Sequence, residues 1–474
     1  MWKFASALLL VPGFLGVVWT SAVPNEGALE SVSIKDVPHI RQKPDFCGEA
    51  CVAMALGRLG RNVDQDWVFD QSGLDPLLGR GCYTRDLAKA VKNIGFDAGP
   101  VWHTIKANRA EAELDSQFRE LHRDLKRGVP SVVCMHYSDQ PNATEHFRLV
   151  VGYDRPTDEV IYQEPAIENG GYQRMDRELF LKLWSLKYDA DRWTLIRMPL
   201  VPSRLKEGSK TNRMTDADYT QHIRRLKEKL DGRGFTLVIQ KPFVVLGDED
   251  EATVKRRSKQ TIEWAVERLK KDYFTKDPDH IIDVWLFKDK ESYEAGAWEF
   301  LKDRPTTPYG YYSSRHKALV MNIATGGGTL VHEIVHPFMA ANFPACPSWF
   351  NEGLASLYEQ CGDKNGHIHG YTNWRLTGLK EAIGRGRLPT FQQLTSTTTR
   401  EFYDDGRGTN YAQARYLCYY LQERGLLVKY YHAFVKKADE DPTGYETLKT
   451  ILGERDMKDF QDRWEAYVMK LERN

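Results

Sequence analysis

Five consecutive residues, His332-Glu333-Ile334-Val335-His336, constrain this chain more than any other stretch. Only an α-helix puts positions i and i+4 on one face, so the pattern predicts a helix whose two imidazoles can bind one zinc ion. Glu333 sits between them, where its carboxylate can accept a proton from water at the metal. The plain alternative is a pair of ordinary histidines on an exposed helix. The loop Thr325-Gly326-Gly327-Gly328 precedes the motif, Thr329 is the expected N-cap, and residues 318–323 form an expected strand flanking the cleft. Pro337 follows the second histidine at once and disfavours the α region before it, so the helix is expected to kink or end there. A catalytic zinc takes three protein ligands and leaves a fourth position to water. Glu352, at the start of a further helical segment, is the leading third ligand. His367 and His369 are a second possible metal pair, but read better as exposed residues of a turn-linked strand.

H-E-x-x-H followed by Asn351-Glu352-Gly353-Leu354-Ala355 resembles the gluzincin, or thermolysin-like, zinc metallopeptidases. The resemblance implies zinc held by His332, His336 and Glu352, with Glu333 as general base. It implies, for residues 233–474, a small mixed sheet with a mainly helical lobe. Asn410-Tyr411-Ala412-Gln413-Ala414 is similar to a downstream segment of related enzymes and makes Tyr411 the candidate donor to an oxyanion. The alternative for Tyr411 is a helix-start aromatic packed on the core.

The first half carries a second constellation. In Gln42-Lys43-Pro44-Asp45-Phe46-Cys47-Gly48-Glu49-Ala50-Cys51, Cys47 falls at a helix start, where the dipole and free N–H groups favour a thiolate. Gln42 lies just upstream as a possible oxyanion donor, and Cys51, one turn on, reads as core. A thiol needs a base and the base an orienter. His146 opens one apolar strand and Glu164 closes the next, so a hairpin would bring them together. This order resembles papain-like cysteine peptidases, most of all those that remove double-glycine leaders from bacteriocin precursors. Gln42 stands one residue closer to Cys47 than is usual there, and Glu164 replaces the usual Asp. The alternative is a structural Cys47 in a domain that binds peptide without cutting it.

Around these sites, residues 32–200 read as an α+β domain, helices first and then strands. Residues 201–232 read as a charged, solvated linker helix. Lys plus Arg and Asp plus Glu both total 66, so no global charge favours nucleic acid. A mean hydropathy of −0.54 excludes a multi-span membrane protein. An apolar run over residues 4–19 followed by Thr20-Ser21-Ala22 is expected to direct export with cleavage near Ala22, an uncleaved anchor being the alternative. Seven cysteines leave at least one thiol unpaired in an exported chain, and Cys346 and Cys361 are a candidate disulfide. Asn142-Ala143-Thr144 is a glycosylation sequon.

The expected protein is thus an exported two-domain peptidase acting on peptide or protein substrates, zinc-dependent in its second domain and thiol-dependent in its first. Two alternatives stand beside it. In one, only the zinc domain is catalytic and the first domain binds peptide or regulates. In the other, the protein is a non-enzymatic surface protein with structural zinc.

Overall fold

Apolar runs with turn residues between them build two large sheets, beside two small two-stranded ones. The computed structural model describes residues 29–208 and 214–473. The apolar run and cut site expected to direct export lie outside these residues. No helix among the described residues is long and apolar enough to cross a membrane. The chain divides into two compact units, one drawn from Met1–Arg41, Ala50–Gly60 and Gly95–Leu205, the other from Gln42–Glu49, Arg61–Ile94 and Lys206–Asn474.

In the first unit an antiparallel sheet runs in the order Trp102–Lys106, Arg192–Pro199, Ser131–His136, Glu145–Asp154, Glu159–Gln163 and Gln173–Asp176, with Val32–Ser33 also paired to Glu145–Asp154. Its central strands are buried along almost their whole length. The helices Ala110–Lys126 and Arg177–Trp184 fall among the strands rather than before them, which corrects the expected order. The longer helix is mostly charged, and only the narrow stripe Leu114, Phe118, Leu121 and Leu125 recurs at helical spacing on its buried face.

In the second unit the sheet order is Thr236–Gln240, Phe243–Gly247, Ile282–Phe287, Ala318–Asn322 and Gly310–Ser313. The three inner strands are parallel and both edges antiparallel. Successive side chains of a strand point to opposite faces. Phe243, Val245, Val284, Leu286, Leu319 and Met321 therefore pack in one core with Leu330, Ile334 and Phe338 of the helix Gly328–Asn342. Val244, Leu246, Trp285, Phe287 and Val320 pack in another with Tyr219, Ile223, Leu226 and Leu230 of the helix Asp216–Leu230. That helix was expected as a solvated linker. Its charges line one face, but its apolar stripe covers the sheet, and each such buried side chain is worth roughly 1.5–3 kcal/mol.

Candidate functional site

The strand Ala318–Asn322 leads through a short turn to Gly326, whose φ of +106° suits glycine, and into the helix Gly328–Asn342. The helix starts at Gly328 with Gly327 as its cap residue, so Thr329 lies inside the first turn rather than capping it. A Cβ at position 328 would sit 2.0 Å from the Glu359 carbonyl oxygen, so glycine lets the helix start approach the chain just after the helix Ser348–Leu357. Pro337 does not end the helix, which continues to Asn342. The proline removes one donor, to the Glu333 carbonyl. Burial of Ile334, Val335, Phe338 and Met339 on both sides of it keeps the helix in register.

This geometry gathers His332, His336 and Glu352, whose ligand atoms all lie within 4.8 Å of one another. His332 Nε2 is 3.3 Å from Glu352 Oε2, and His336 Nε2 is 3.8 Å from Glu352 Oε1. Ligand atoms about 2.0–2.2 Å from a tetrahedral zinc stand about 3.3–3.6 Å apart, so the spacing fits that ion. Glu352 Oε2 is buried with no hydrogen-bond partner although an imidazole nitrogen is so near. Close approach without a hydrogen bond is compatible with two ligands of one ion, and an N,N,O donor set suits zinc.

A surrounding layer orients the three side chains. His336 Nδ1 is 3.1 Å from Asn351 Oδ1, and His332 Nδ1 is 3.5 Å from Glu359 Oε1. Glu359 is itself held by two bonds from Arg375 and one from the Asn373 amide. The Tyr403 hydroxyl donates to Glu352 Oε1 at 2.6 Å. Burial opposes ionisation of Glu352, but the two imidazoles and Tyr403 outweigh it and hold the carboxyl well below its usual range. Tyr411 lies beside Tyr403, ring centres 5.9 Å apart, and burial pushes its phenol far up, so it remains a donor.

Two cavities of about 930 and 1060 Å³ meet at this cluster and share Gly310, His332, Glu333 and Tyr411. The edge strand Gly310–Ser313 borders the first. His367 and His369 sit on the small hairpin Cys361–Lys364 and His367–Gly370, where they meet Asp272 and Glu423 rather than a common centre. Cys346 and Cys361 are not bonded to each other. Both thiols are free and largely buried, and Cys346 donates to the Pro347 carbonyl.

In the first unit the hairpin expected for His146 and Glu164 forms. Leu149 pairs with Gln163, so Glu164 follows the strand end opposite the start of its neighbour. His146 Nε2 is 2.6 Å from Glu164 Oε1, and both side chains are buried. Arg148, two residues on and on the same strand face, donates from Nε to Glu164 Oε2 at 2.7 Å. Burial works against the Glu164 carboxylate, but His146 and Arg148 hold its pKa below the usual value. The bond to Glu164 leaves His146 Nδ1 as the nitrogen for a further partner.

Gln42 and Cys47 belong to the short segment of the second unit. A turn closed by Phe46 N–H to the Lys43 carbonyl delivers Cys47 to the first position of the helix Cys47–Arg58. Gln42 Oε1 is buried without a hydrogen-bond partner. Cys51 is fully buried, as expected for a core residue, and its thiol lies 3.7 Å from the Phe147 carbonyl.

Residues 34–190 match the model of the Peptidase_C39 like family. The match supports cysteine-peptidase chemistry for this part of the chain, and it takes in Gln42, Cys47, His146 and Glu164 while ending far short of His332. The Peptidase_C39-like segment is also similar to a solved structure, the peptidase domain of Streptococcus ComA, titled a bi-functional ABC transporter involved in a quorum sensing pathway. Identity is 18%, coverage is 35% of this chain and 99% of that one, and the TM-score is 0.23. No curated protein matches the sequence.

Four residues of these sites were not found by sequence reasoning. Arg148 of the Peptidase_C39-like segment had a signal, since i and i+2 share a strand face. Asn351 adjoins Glu352 directly, and Glu359 follows it by two helical turns. Tyr403 had none, because it approaches from a separate five-residue helix.

Proposed function

We propose that this protein is an exported peptidase with two catalytic centres, a zinc centre in residues 233–474 and a cysteine centre in residues 32–200. The observation that carries the zinc centre is the convergence of the His332, His336 and Glu352 ligand atoms within 4.8 Å, with Glu333 on the same helix lining both cavities. His332, His336 and Glu352 would hold the zinc ion, which would supply Lewis acidity and make water at the site easier to deprotonate. Glu333 takes a proton from the attacking water and passes it to the leaving amine. Tyr411 donates its hydroxyl hydrogen to the developing oxyanion, and Tyr403 keeps Glu352 oriented. This motif set resembles that of the gluzincin metallopeptidases.

For the cysteine centre, the Peptidase_C39 like match supports Cys47 as nucleophile. His146 takes the thiol proton, Glu164 fixes the imidazole through Nε2, and the Cys47 N–H with the Gln42 amide receives the oxyanion. The thiolate adds to the carbonyl carbon, the amine leaves with the proton from His146, and water releases the acyl group.

Hydrolysis of an unfolded protein, measured before and after phenanthroline, tests the reading. Loss on chelation and recovery on adding zinc is the expected result for the zinc centre, with Glu333→Gln retaining zinc but not that activity. Cleavage that ignores the chelator and is stopped by alkylation of Cys47 would place all catalysis in the cysteine centre.

A further inference from the structure

Cys47 directly follows a turn that one local hydrogen bond closes, from the Phe46 N–H to the Lys43 carbonyl, and that groups distant in sequence brace. Asp45, in that turn, has φ +63°, in the left-handed region that a residue with a Cβ adopts less readily than glycine does. Such a conformation persists only where the surroundings fix it. Here the fixing groups come from the helix Asp216–Leu230. Gln221 Nε2 donates to the Pro44 carbonyl at 2.9 Å, and Arg224 Nε donates to Asp45 Oδ2 at 3.1 Å. Gln221 is buried. On the other side Gln65 accepts the Lys43 N–H at 2.7 Å, and Phe46 is fully buried and stacked on Phe69 with ring centres 5.0 Å apart. The Asp45 carbonyl rests on Gly81, where any Cβ would come within 1.9 Å. The helix supplying Gln221 and Arg224 is tied in turn to the second unit's sheet by its apolar stripe and by His222, 2.6 Å from Asp283.

We propose that Gln221 and Arg224 are positioning residues for the Cys47 thiol, holding the 43–46 turn so that the sulfur enters the helix start in one geometry. The proposal rests on the reading of Cys47 as nucleophile and extends it. The cysteine centre then depends on a helix outside its own family segment, and residues 34–190 cut from the chain would lack the mount of their nucleophile.

The test is the rate of iodoacetamide alkylation of Cys47 against pH in the full-length chain, read by mass spectrometry of the Cys47 peptide. Gln221→Ala and Arg224→Ala are each expected to slow alkylation near pH 7 by about 5–10-fold and move its midpoint upward. Arg224→Lys keeps the charge and is expected to restore part of the rate. Asp45→Gly accepts the positive φ without strain, so adding Arg224→Ala to it should cost less than Arg224→Ala costs alone. Profiles of both alanine variants that overlay the wild type, at unchanged thermal midpoint, overturn the positioning role. A wild-type Cys47 no more reactive than a free peptide thiol overturns the nucleophile reading and the proposal with it. If Arg224→Ala does not fold, Arg224→Lys against Asp45→Gly decides the same question.

Discussion

Arg148 and Glu164 form a buried ion pair, Nε to Oε2 at 2.7 Å, with each side chain about 5% exposed. The same carboxylate meets His146 through its other oxygen. Taking away one partner of a buried pair leaves the other charge without compensation, at a cost of about 3–5 kcal/mol. Glu164→Gln is therefore expected to destabilise the chain by that order in urea unfolding at pH 7. It should also lower Cys47-dependent cleavage by more than tenfold. The native carboxyl has a depressed pKa, so its contribution is present above the ordinary carboxylate range and is lost as pH falls through the folded value. The gap between wild type and variant should close in acid; a gap that stays constant down to pH 3 would remove the pair from the stability argument.

Tyr403 and Tyr411 are expected to separate by function. Tyr403 bonds the Glu352 carboxylate, and where a carboxylate binds a metal, losing such an outer partner typically weakens binding 10–100-fold. Tyr403→Phe should show this in competition against a chromogenic chelator. Tyr411 reaches Glu352 only through its hydrogen bond with Tyr403, so Tyr411→Phe should lower zinc affinity less than Tyr403→Phe does and lower kcat with little change in KM. Equal loss of zinc affinity in both variants contradicts the division.

The two sites were legible to different depths. H-E-x-x-H on a helix puts two imidazoles on one face by geometry alone, and the His146–Glu164 hairpin followed from two apolar strands joined by a short turn. Tyr403 and the Gln221–Arg224 contacts come from segments dozens or hundreds of residues away, and no local period encodes such an approach. The helix Asp216–Leu230 was misread because its charged residues outnumber its apolar ones, while four apolar residues at helical spacing suffice to cover a sheet face. Pro337 misled in the opposite direction. A local propensity predicted a helix end, but burial of the side chains around it holds the helix together past the missing bond.

Gly328→Ala tests the close approach at the start of the motif helix. The new methyl would meet the Glu359 backbone carbonyl at 2.0 Å, and backbone cannot swing aside as a flexible side chain can. Overpacking of this kind costs about 1–3 kcal/mol. Because Glu359 stands 3.5 Å from His332, the displacement should reach the cluster of His332, His336 and Glu352. The expected outcome is a lower thermal midpoint together with weaker zinc binding. A loss of stability with unaltered zinc affinity would show that the backbone shift stops short of the Glu359 carboxylate.

Glu49 gives the chain a stability term with an unusual sign. Its side chain is fully buried and accepts the Cys82 N–H at 2.7 Å, and burial raises its pKa to about 7. Between the ordinary glutamate value and 7 the folded chain binds more protons here than the unfolded chain does. Stability from this group therefore falls as pH rises through that window, by about 1.4 kcal/mol per pH unit and roughly 3 kcal/mol in all, and is flat above it. Glu49→Gln keeps an oxygen for the Cys82 N–H and removes the titration. Urea unfolding at pH 5 and pH 8 should find the variant gaining on the wild type at the higher pH. A difference between the two proteins that is the same at both values would mean that Glu49 ionises in its ordinary range and that its burial is relieved by water.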